Sequence, residues 1–313
     1  MAQGLDQAAT VTAHDPQRRL LVLCLAIVYF VWGTSYAATR VGVLHLPPLL
    51  FGALRFLIGG AGLTAIAMAR GFRLAALHGR WRDLLLLSVL GVAASNGLQN
   101  WAMQWVPSET GALLNASSAL WIVLFGLTGR RAHHPGARTV LGLVTGFAGT
   151  ALLVWPAAGA TALAATPLLP QLVILAACLL WSLGTIYMRN HTVDIDLFAL
   201  VGLQMLLGGA WMAVAGFAGG EAARWHWSLP GMLALGYLVV ASSGFAYMAY
   251  AWLARHATPA QTGTYSYVNP LLAAATGYLL LDERMAMRQW SGAAVILAGV
   301  VMINWPARSR QAT

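Results

Sequence analysis

The 313-residue chain is 59% hydrophobic and 9% charged, with a mean hydropathy of +0.69. A soluble domain cannot bury that much apolar surface, so the composition excludes an ordinary soluble protein. All 18 basic residues are arginine and the net charge is +9. All of the arginines except Arg55 lie in or beside the loops between apolar stretches, which indicates membrane topology and excludes a nucleic-acid partner.

Hydrophobic stretches of about 17 to 25 residues, long enough to cross a bilayer, recur along the chain and predict ten transmembrane helices. The predicted helices 1 to 5 are residues 20–39, 48–69, 84–105, 107–127 and 139–155. The predicted helices 6 to 10 are residues 171–188, 195–218, 230–254, 259–281 and 289–305. The expected fold class is therefore an all-α membrane protein.

The loop arginines predict the orientation of these helices. With both termini cytoplasmic, most of the arginines fall on the inner side, and the outer side keeps only Arg40, Arg224, Arg284 and Arg288. This distribution obeys the positive-inside rule. We predict a disordered cytoplasmic tail over 1–19, a periplasmic linker rich in proline, alanine and glycine over 156–170, and a cytoplasmic tail over 306–313.

The chain also contains an internal repeat. A shift of 149 residues lays Trp32 on Trp181 and Arg40 on Arg189, and a shift of 152 lays Pro107 on Pro259. Two units follow, 20–155 and 171–305. Because each unit holds an odd number of helices, the two must cross the membrane in opposite senses. Such an inverted repeat is common in transporters that bind their substrate near the bilayer midplane.

Several motifs resemble those of EamA-type transporters in the drug/metabolite transporter superfamily. They are the segments 31–35 (VWGTS), 54–56 (LRF) and 279–284 (LLLDER), followed by Gly292 and by the Ala298–Gly299 pair. The resemblance covers both repeats. It implies export of amino acids, related metabolites or drugs, and it implies a bacterial inner membrane.

Polar residues inside predicted helices indicate where a substrate binds, because polarity facing lipid is costly. Helix 3 places amides on one helical face, and Asn115 and Asn269 continue the pattern in helices 4 and 9. The alternative is that these groups only join helices. The polar substrate-binding candidates are Asn96, Gln99, Asn100, Asn115, Gln204 and Asn269.

Arg55 lies within predicted helix 2, where a charge requires a carbonyl, an acid or a ligand anion as partner. One reading is an anchor for a substrate carboxylate; the other is a side chain that reaches toward the membrane surface. Glu109, at the outer end of predicted helix 4, is the candidate proton site. Aromatic side chains that could line a pocket, or simply pack, are Trp32, Tyr36, Trp101, Trp181, Tyr247, Tyr250 and Tyr265.

No Walker loop, H-E-x-x-H motif or G-x-S-x-G motif is present, and the sequence predicts no enzyme, no cofactor and no metal site. We expect an alternating-access transporter that exports or exchanges amino acids or similar amphipathic metabolites as the two halves rock. A multidrug exporter of the same fold is the alternative, and an intramembrane enzyme, receptor or scaffold is the rival of another class. Glycines in helices 5 and 10 predict close packing, and a homodimer through these helices is left open.

Overall fold

The computed structural model describes residues 16–154, 167–192, 194–280 and 287–304. These residues are helical, with no strand among them. The structure thus confirms the all-helical class. Residues 1–15, most of the predicted linker, the 281–284 part of the LLLDER motif and the C-terminal tail lie outside the described ranges.

The described helices follow the predicted order, and we number them α1 to α10. Six are continuous: α1 Pro16–His45, α2 Pro48–Ala69, α5 Ala137–Val154, α6 Leu168–His191, α7 Leu197–Ala218 and α10 Met287–Asn304. The other four are interrupted: α3 (81–102), α4 (108–126), α8 (229–256) and α9 (259–280). Prolines stand at the first or second position of α2, α8 and α9, at Pro48, Pro230 and Pro259, where a missing N–H costs nothing.

Five of these helices are long and apolar enough to cross a membrane: α1, α2, α6, α7 and α8. Shorter apolar helices lie at 110–126, 137–152 and 290–304. Large apolar side chains such as Phe30, Leu141 and Phe245 are exposed on the outside of the bundle. A surface of this kind requires a lipid solvent, and the chain is a multi-pass membrane protein.

Two of the interruptions are π-helical. In α3 the π segment Ser88–Ala94 joins the α-helical parts Trp81–Leu87 and Ser95–Ala102. In α8 the π segment Leu238–Ala246 joins Leu229–Tyr237 and Tyr247–His256. The π segments occupy corresponding places in the two repeats. Such segments are frequent at functional sites because they leave backbone carbonyls free and turn the following side chains.

The other two interruptions are single residues. Ala116 separates Ser108–Asn115 from Ser117–Gly126 in α4, and Thr264 separates Pro259–Gly263 from Tyr265–Leu280 in α9. A capping box at Thr258 and Gln261 fixes the start of α9.

Equivalent helices of the two repeats pack backbone to backbone. A Cβ atom added to Gly60 of α2 would lie 2.8 Å from the Gly202 carbonyl oxygen of α7. In the same way a Cβ at Gly149 of α5 would lie 2.6 Å from the Ile296 nitrogen of α10. The predicted close packing of helices 5 and 10 is confirmed, and it occurs within one chain. The homodimer stays a prediction.

The remaining helices exchange partners between the repeats. α1 packs mainly against α8 and α9 of the second repeat, while α6 packs mainly against α3 and α4 of the first. We call these groups the α1 bundle (α1, α8 and α9) and the α6 bundle (α6, α3 and α4). Each bundle therefore contains helices from both repeats, and the cavity described below lies between them.

Candidate functional site

A central cavity of about 560 Å³, including the part open to solvent, lies between the two bundles. Its walls come from seven helices, α1, α2, α3, α4, α6, α8 and α9. The lining residues are Trp32, Ser35, Tyr36, Thr39, Arg55, Ser95, Asn96, Gln99, Asn115, Ala177, Trp181, Ser242, Tyr247, Tyr265 and Asn269.

Arg55 supplies the positive charge of the lining. Its side chain is only 6% exposed. The guanidinium donates from Nε to Ser243 Oγ and from Nη2 to Ser242 Oγ, each at 2.9 Å, and it lies 4.7 Å from the ring centre of Phe56. Within the described part of the chain, no carboxylate lies within 4 Å of Arg55. The hydroxyls and the ring hold the guanidinium without neutralising it, so its charge is available to an anion.

The π segment of α3 shapes the wall next to Arg55. The Gly91 carbonyl, inside that segment, accepts hydrogen bonds from Tyr247 Oη at 2.6 Å and from Asn96 Nδ2 at 3.2 Å. These bonds fix the Asn96 side chain, and Gln99 follows it on the same face. Both amides line the cavity with oxygen atoms that can accept hydrogen bonds from a substrate.

A second polar region comes from α4 and α9. Asn115 donates from Nδ2 to Cys178 Sγ at 3.5 Å, and its Oδ1 is buried without a partner among the described residues. Both polar atoms of the Asn269 amide are likewise buried without a hydrogen bond, although the Tyr36 hydroxyl lies near this amide. Buried amide atoms without partners are costly, so these atoms are available to pair with a hydrogen-bonding group that enters the cavity.

Trp32, Trp181, Tyr247 and Tyr265 form the floor of the cavity, and Tyr250 packs against them. Trp32 makes edge or tilted contacts with Trp181, Tyr247, Tyr250 and Tyr265, at centroid distances of 5.4, 5.7, 4.9 and 5.1 Å. Trp181 Nε1 donates to Tyr250 Oη at 3.1 Å, which links α6 to α8. The symmetric tryptophans of the sequence repeat thus meet at the centre of the molecule, between the two bundles.

Beyond this floor lies a smaller cavity of about 240 Å³. It shares Trp181 and Tyr247 with the floor, and Tyr250 and Gln204 contribute to its wall. Gln204 Oε1 is buried without a partner among the described residues. The two cavities therefore share an aromatic wall.

The structure brings most of the predicted substrate-binding residues to the central cavity. Those that line it are Trp32, Tyr36, Arg55, Asn96, Gln99, Asn115, Trp181, Tyr247, Tyr265 and Asn269. Three lie elsewhere. Asn100 is turned away and donates to the Pro48 carbonyl at 3.3 Å, Trp101 packs against Trp105 at 4.7 Å, and Gln204 faces the smaller cavity. The side chain of Glu109 is outside the described part of the structure.

Sequence reasoning did not single out Ser35, Thr39, Ala177 or Ser242, which also line the cavity. Ser242 and its neighbour Ser243 matter most, because they hold Arg55. Consecutive hydroxyls within an apolar helix were the available signal, since such residues need a partner in the membrane.

The two repeat-related arginines, Arg40 and Arg189, join the bundles at opposite ends. Arg40, near the end of α1, donates from Nη1 to the Met103 carbonyl that follows α3. Arg189, near the end of α6, donates from Nη1 to the carbonyls of Ala254 and Ala257 at the end of α8. We call these the Arg40 contact and the Arg189 contact. Each crosses from one bundle to the other.

The position of Arg80 shows that these contacts are far apart. Arg80 begins α3 and donates to the His191 carbonyl and to Asp194 at 3.2 Å, so the start of α3 lies beside the end of α6 that carries Arg189. The Arg40 contact lies at the other end of α3. A helical run of this length, 81–102, spans about 33 Å.

The protein has helices from both repeats around a polar cavity, with an aromatic floor and a cation held in the cavity wall. These features define a membrane transporter. The chain belongs to the EamA-like transporter family, whose model matches residues 19–155 and 168–305.

Individual relatives agree with this assignment. The chain is 32% identical over 297 residues to the Escherichia coli K12 protein named uncharacterized inner membrane transporter YedA, covering 92% of each chain. It is 25% identical over 305 residues to the Bacillus subtilis protein named uncharacterized transporter YvbV, covering 95% of each. A solved crystal structure with 23% sequence identity to this chain has the same fold, with a TM-score of 0.73. The match covers 91% of this chain and 97% of the chain in that structure.

Proposed function

We propose that the protein is an alternating-access transporter that exports or exchanges amino acids or similar small amphipathic metabolites through the central cavity. The observation on which this proposal rests is the buried Arg55 guanidinium, which lines the cavity and is held by two hydroxyls in place of a carboxylate. A charge held in this way attracts an anionic group strongly, because the surroundings are poor in water.

The neighbouring groups fit the rest of an amino acid. The amide oxygens of Asn96 and Gln99 lie in the same cavity and can accept hydrogen bonds from an ammonium group. The faces of Trp32 and Tyr247 offer apolar and cation–π contact to the remainder of the solute. We place the substrate carboxylate at Arg55 and its amine toward α3.

The Arg40 and Arg189 contacts support the alternating-access part of the proposal. Each joins the α1 bundle to the α6 bundle, and they lie at opposite ends of α3. Opening the cavity toward one end requires breaking the contact at that end. The moving units are then the α1 bundle and the α6 bundle, each with helices from both repeats. The repeat alone suggested instead that the two halves of the sequence rock against each other.

The family and the inner-membrane relative support a bacterial inner membrane as the location. Ten crossings with both termini in the cytoplasm are part of the proposal and rest on the apolar segments and the loop arginines. The alternative function is multidrug export. Because drugs of that kind are often cationic, and because the cavity lining carries a cation, the arginine favours carboxylated solutes over cationic drugs.

The test is uptake into proteoliposomes over a panel of amino acids and cationic drugs, with and without a pH gradient. We expect saturable flux of at least one carboxylated solute and a loss of about tenfold or more in Arg55→Gln, since a buried charge-assisted pair is removed. Arg73→Gln, an exposed arginine outside the cavity, is the matched control. Flux of cationic drugs alone would support multidrug export, and lipid or peptide hydrolysis without flux would overturn the transporter proposal.

A further inference from the structure

The unpartnered amides of α4 and α9 indicate what the substrate carries at the end away from Arg55. Asn269 is fully buried, and neither its Oδ1 nor its Nδ2 has a hydrogen bond among the described residues. Asn115 contributes a third unpartnered amide atom, Oδ1, and is 7% exposed. Both side chains line the central cavity.

Trp32 links this region to Arg55 through its ring contacts. Trp32 contacts Tyr247, which packs against Phe56 beside Arg55, and it contacts Tyr265, which lies about one turn before Asn269 on α9. The cavity therefore has two polar regions that are linked by aromatic rings, and we call them the charged end and the neutral end. Arg55 carries the charge of the first, and the second carries neutral groups, the two amides and the Tyr36 hydroxyl near Asn269.

The neutral end constrains the chemistry of its guest. Asn269 offers a donor and an acceptor together, and Asn115 adds an acceptor. An alkyl group placed there would leave all three atoms unpaired, and a carboxylate would face two amide oxygens while the Arg55 guanidinium of the same lining lies at the charged end. A group that both donates and accepts hydrogen bonds satisfies the set.

We propose that the α4–α9 amides select solutes whose carboxylate lies at Arg55 and whose far end is a neutral hydrogen-bonding group, a carboxamide or a hydroxyl. This inference rests on the proposed function and specifies its substrate class. Amino acids with polar uncharged side chains have this form. Apolar and acidic amino acids of the same length do not.

The experiment compares transport of glutamine with that of methionine and glutamate, which are similar in length, in proteoliposomes that hold the full chain. We expect glutamine to be preferred by about tenfold over either, the discrimination expected when buried amides are left unpaired by the wrong substrate. In Asn269→Leu the preference over methionine should fall to about one. Asn115→Leu should lower the same preference in part, and it provides a second variant should Asn269→Leu fail to fold.

Asn304→Leu is the matched control, because Asn304 also has a buried unpartnered Oδ1 but lies outside the cavity. Its glutamine preference should equal that of the unmodified protein. Transport of methionine or glutamate as fast as glutamine, or a preference that survives in both Asn269→Leu and Asn115→Leu, would refute this inference while leaving the transporter intact. Absence of flux for every amino acid and drug tested would instead refute the proposed function itself.

Discussion

The Arg40 and Arg189 contacts make a paired prediction that distinguishes alternating access from a static pore. Replacing either arginine with glutamine removes the charge and shortens the side chain, so its reach to the opposite bundle is lost. Arg40→Gln should release the end of the molecule at Met103, and Arg189→Gln should release the end at Ala257. The two variants should therefore act on opposite sides of the membrane.

The size of the expected effect follows from the hydrogen bonds that each substitution removes. Each arginine is half-buried and donates charge-assisted hydrogen bonds to backbone carbonyls, one for Arg40 and two for Arg189. A hydrogen bond to a charged group contributes about 1.5 to 3 kcal/mol. Loss of one such bond shifts a two-state equilibrium by about tenfold to a hundredfold. Exposure of the cavity at the affected end should rise by about that factor.

The assay uses a cysteine at the cavity-lining Ser35, in a background where Cys24 and Cys178 are replaced by alanine. A membrane-impermeant maleimide is added to right-side-out or to inverted vesicles, and the labelling rate is measured from each side. With the predicted topology, Arg40→Gln should accelerate labelling from outside and Arg189→Gln from inside.

Arg73→Gln, which removes an exposed charge elsewhere, should leave both rates unchanged. Equal rates in all variants, or acceleration from the same side in Arg40→Gln and Arg189→Gln, would show that these contacts do not control access. A static pore would give labelling from both sides before any substitution.

Three further predictions concern stability, measured as thermal unfolding of the purified protein in detergent. Gly60→Leu should abolish folding or lower the free energy of unfolding by more than about 3 kcal/mol, because the leucine side chain would meet the α7 backbone. Gly62 has open space around it, so Gly62→Ala should change stability by less than about 0.5 kcal/mol. Glu221→Gln should destabilise by about 1 to 2 kcal/mol, because the buried carboxylate accepts from the Leu49 and Leu50 amides that begin α2; an unchanged transition would contradict this capping role. Tyr250→Phe should cost about 1 to 3 kcal/mol by leaving the Trp181 indole N–H unpaired, and a cost near zero would show that it finds another acceptor.

The order of the helices was predictable from the sequence because bilayer thickness sets the length of an apolar segment. The exact residues at which each helix begins and ends were harder to predict. α1 was predicted over 20–39 but runs from Pro16 to His45, and at its C-terminal side it continues past Arg40 until Pro47 and Pro48 stop it. The π segments could not be predicted, because a change from i→i−4 to i→i−5 hydrogen bonding leaves no mark in composition.

The candidate site was likewise predictable from the sequence only in part. Helical spacing placed Asn96 and Gln99 on one face, and both line the cavity, but the face ends between Gln99 and Asn100, which bonds Pro48. Arg55 was visible as an intramembrane charge. Its hydrogen-bond partners were not, because the 149-residue shift of the repeat lays Arg55 on Gln204 of α7, whereas Ser242 and Ser243 come from α8. Symmetry predicts the helices that correspond, and contacts between non-equivalent helices require the structure.

The exchange of partners between the repeats has a consequence for how the protein is made. α1 packs mainly against α8 and α9, and α2 packs along its length against α7. A ribosome releases the first five helices before any of these partners exists. Arg55 must then enter the bilayer before Ser242 and Ser243 can receive its hydrogen bonds. The first repeat should therefore depend on insertion factors or lipid headgroups until α8 is synthesised, and a chain truncated before α8 should be rapidly degraded.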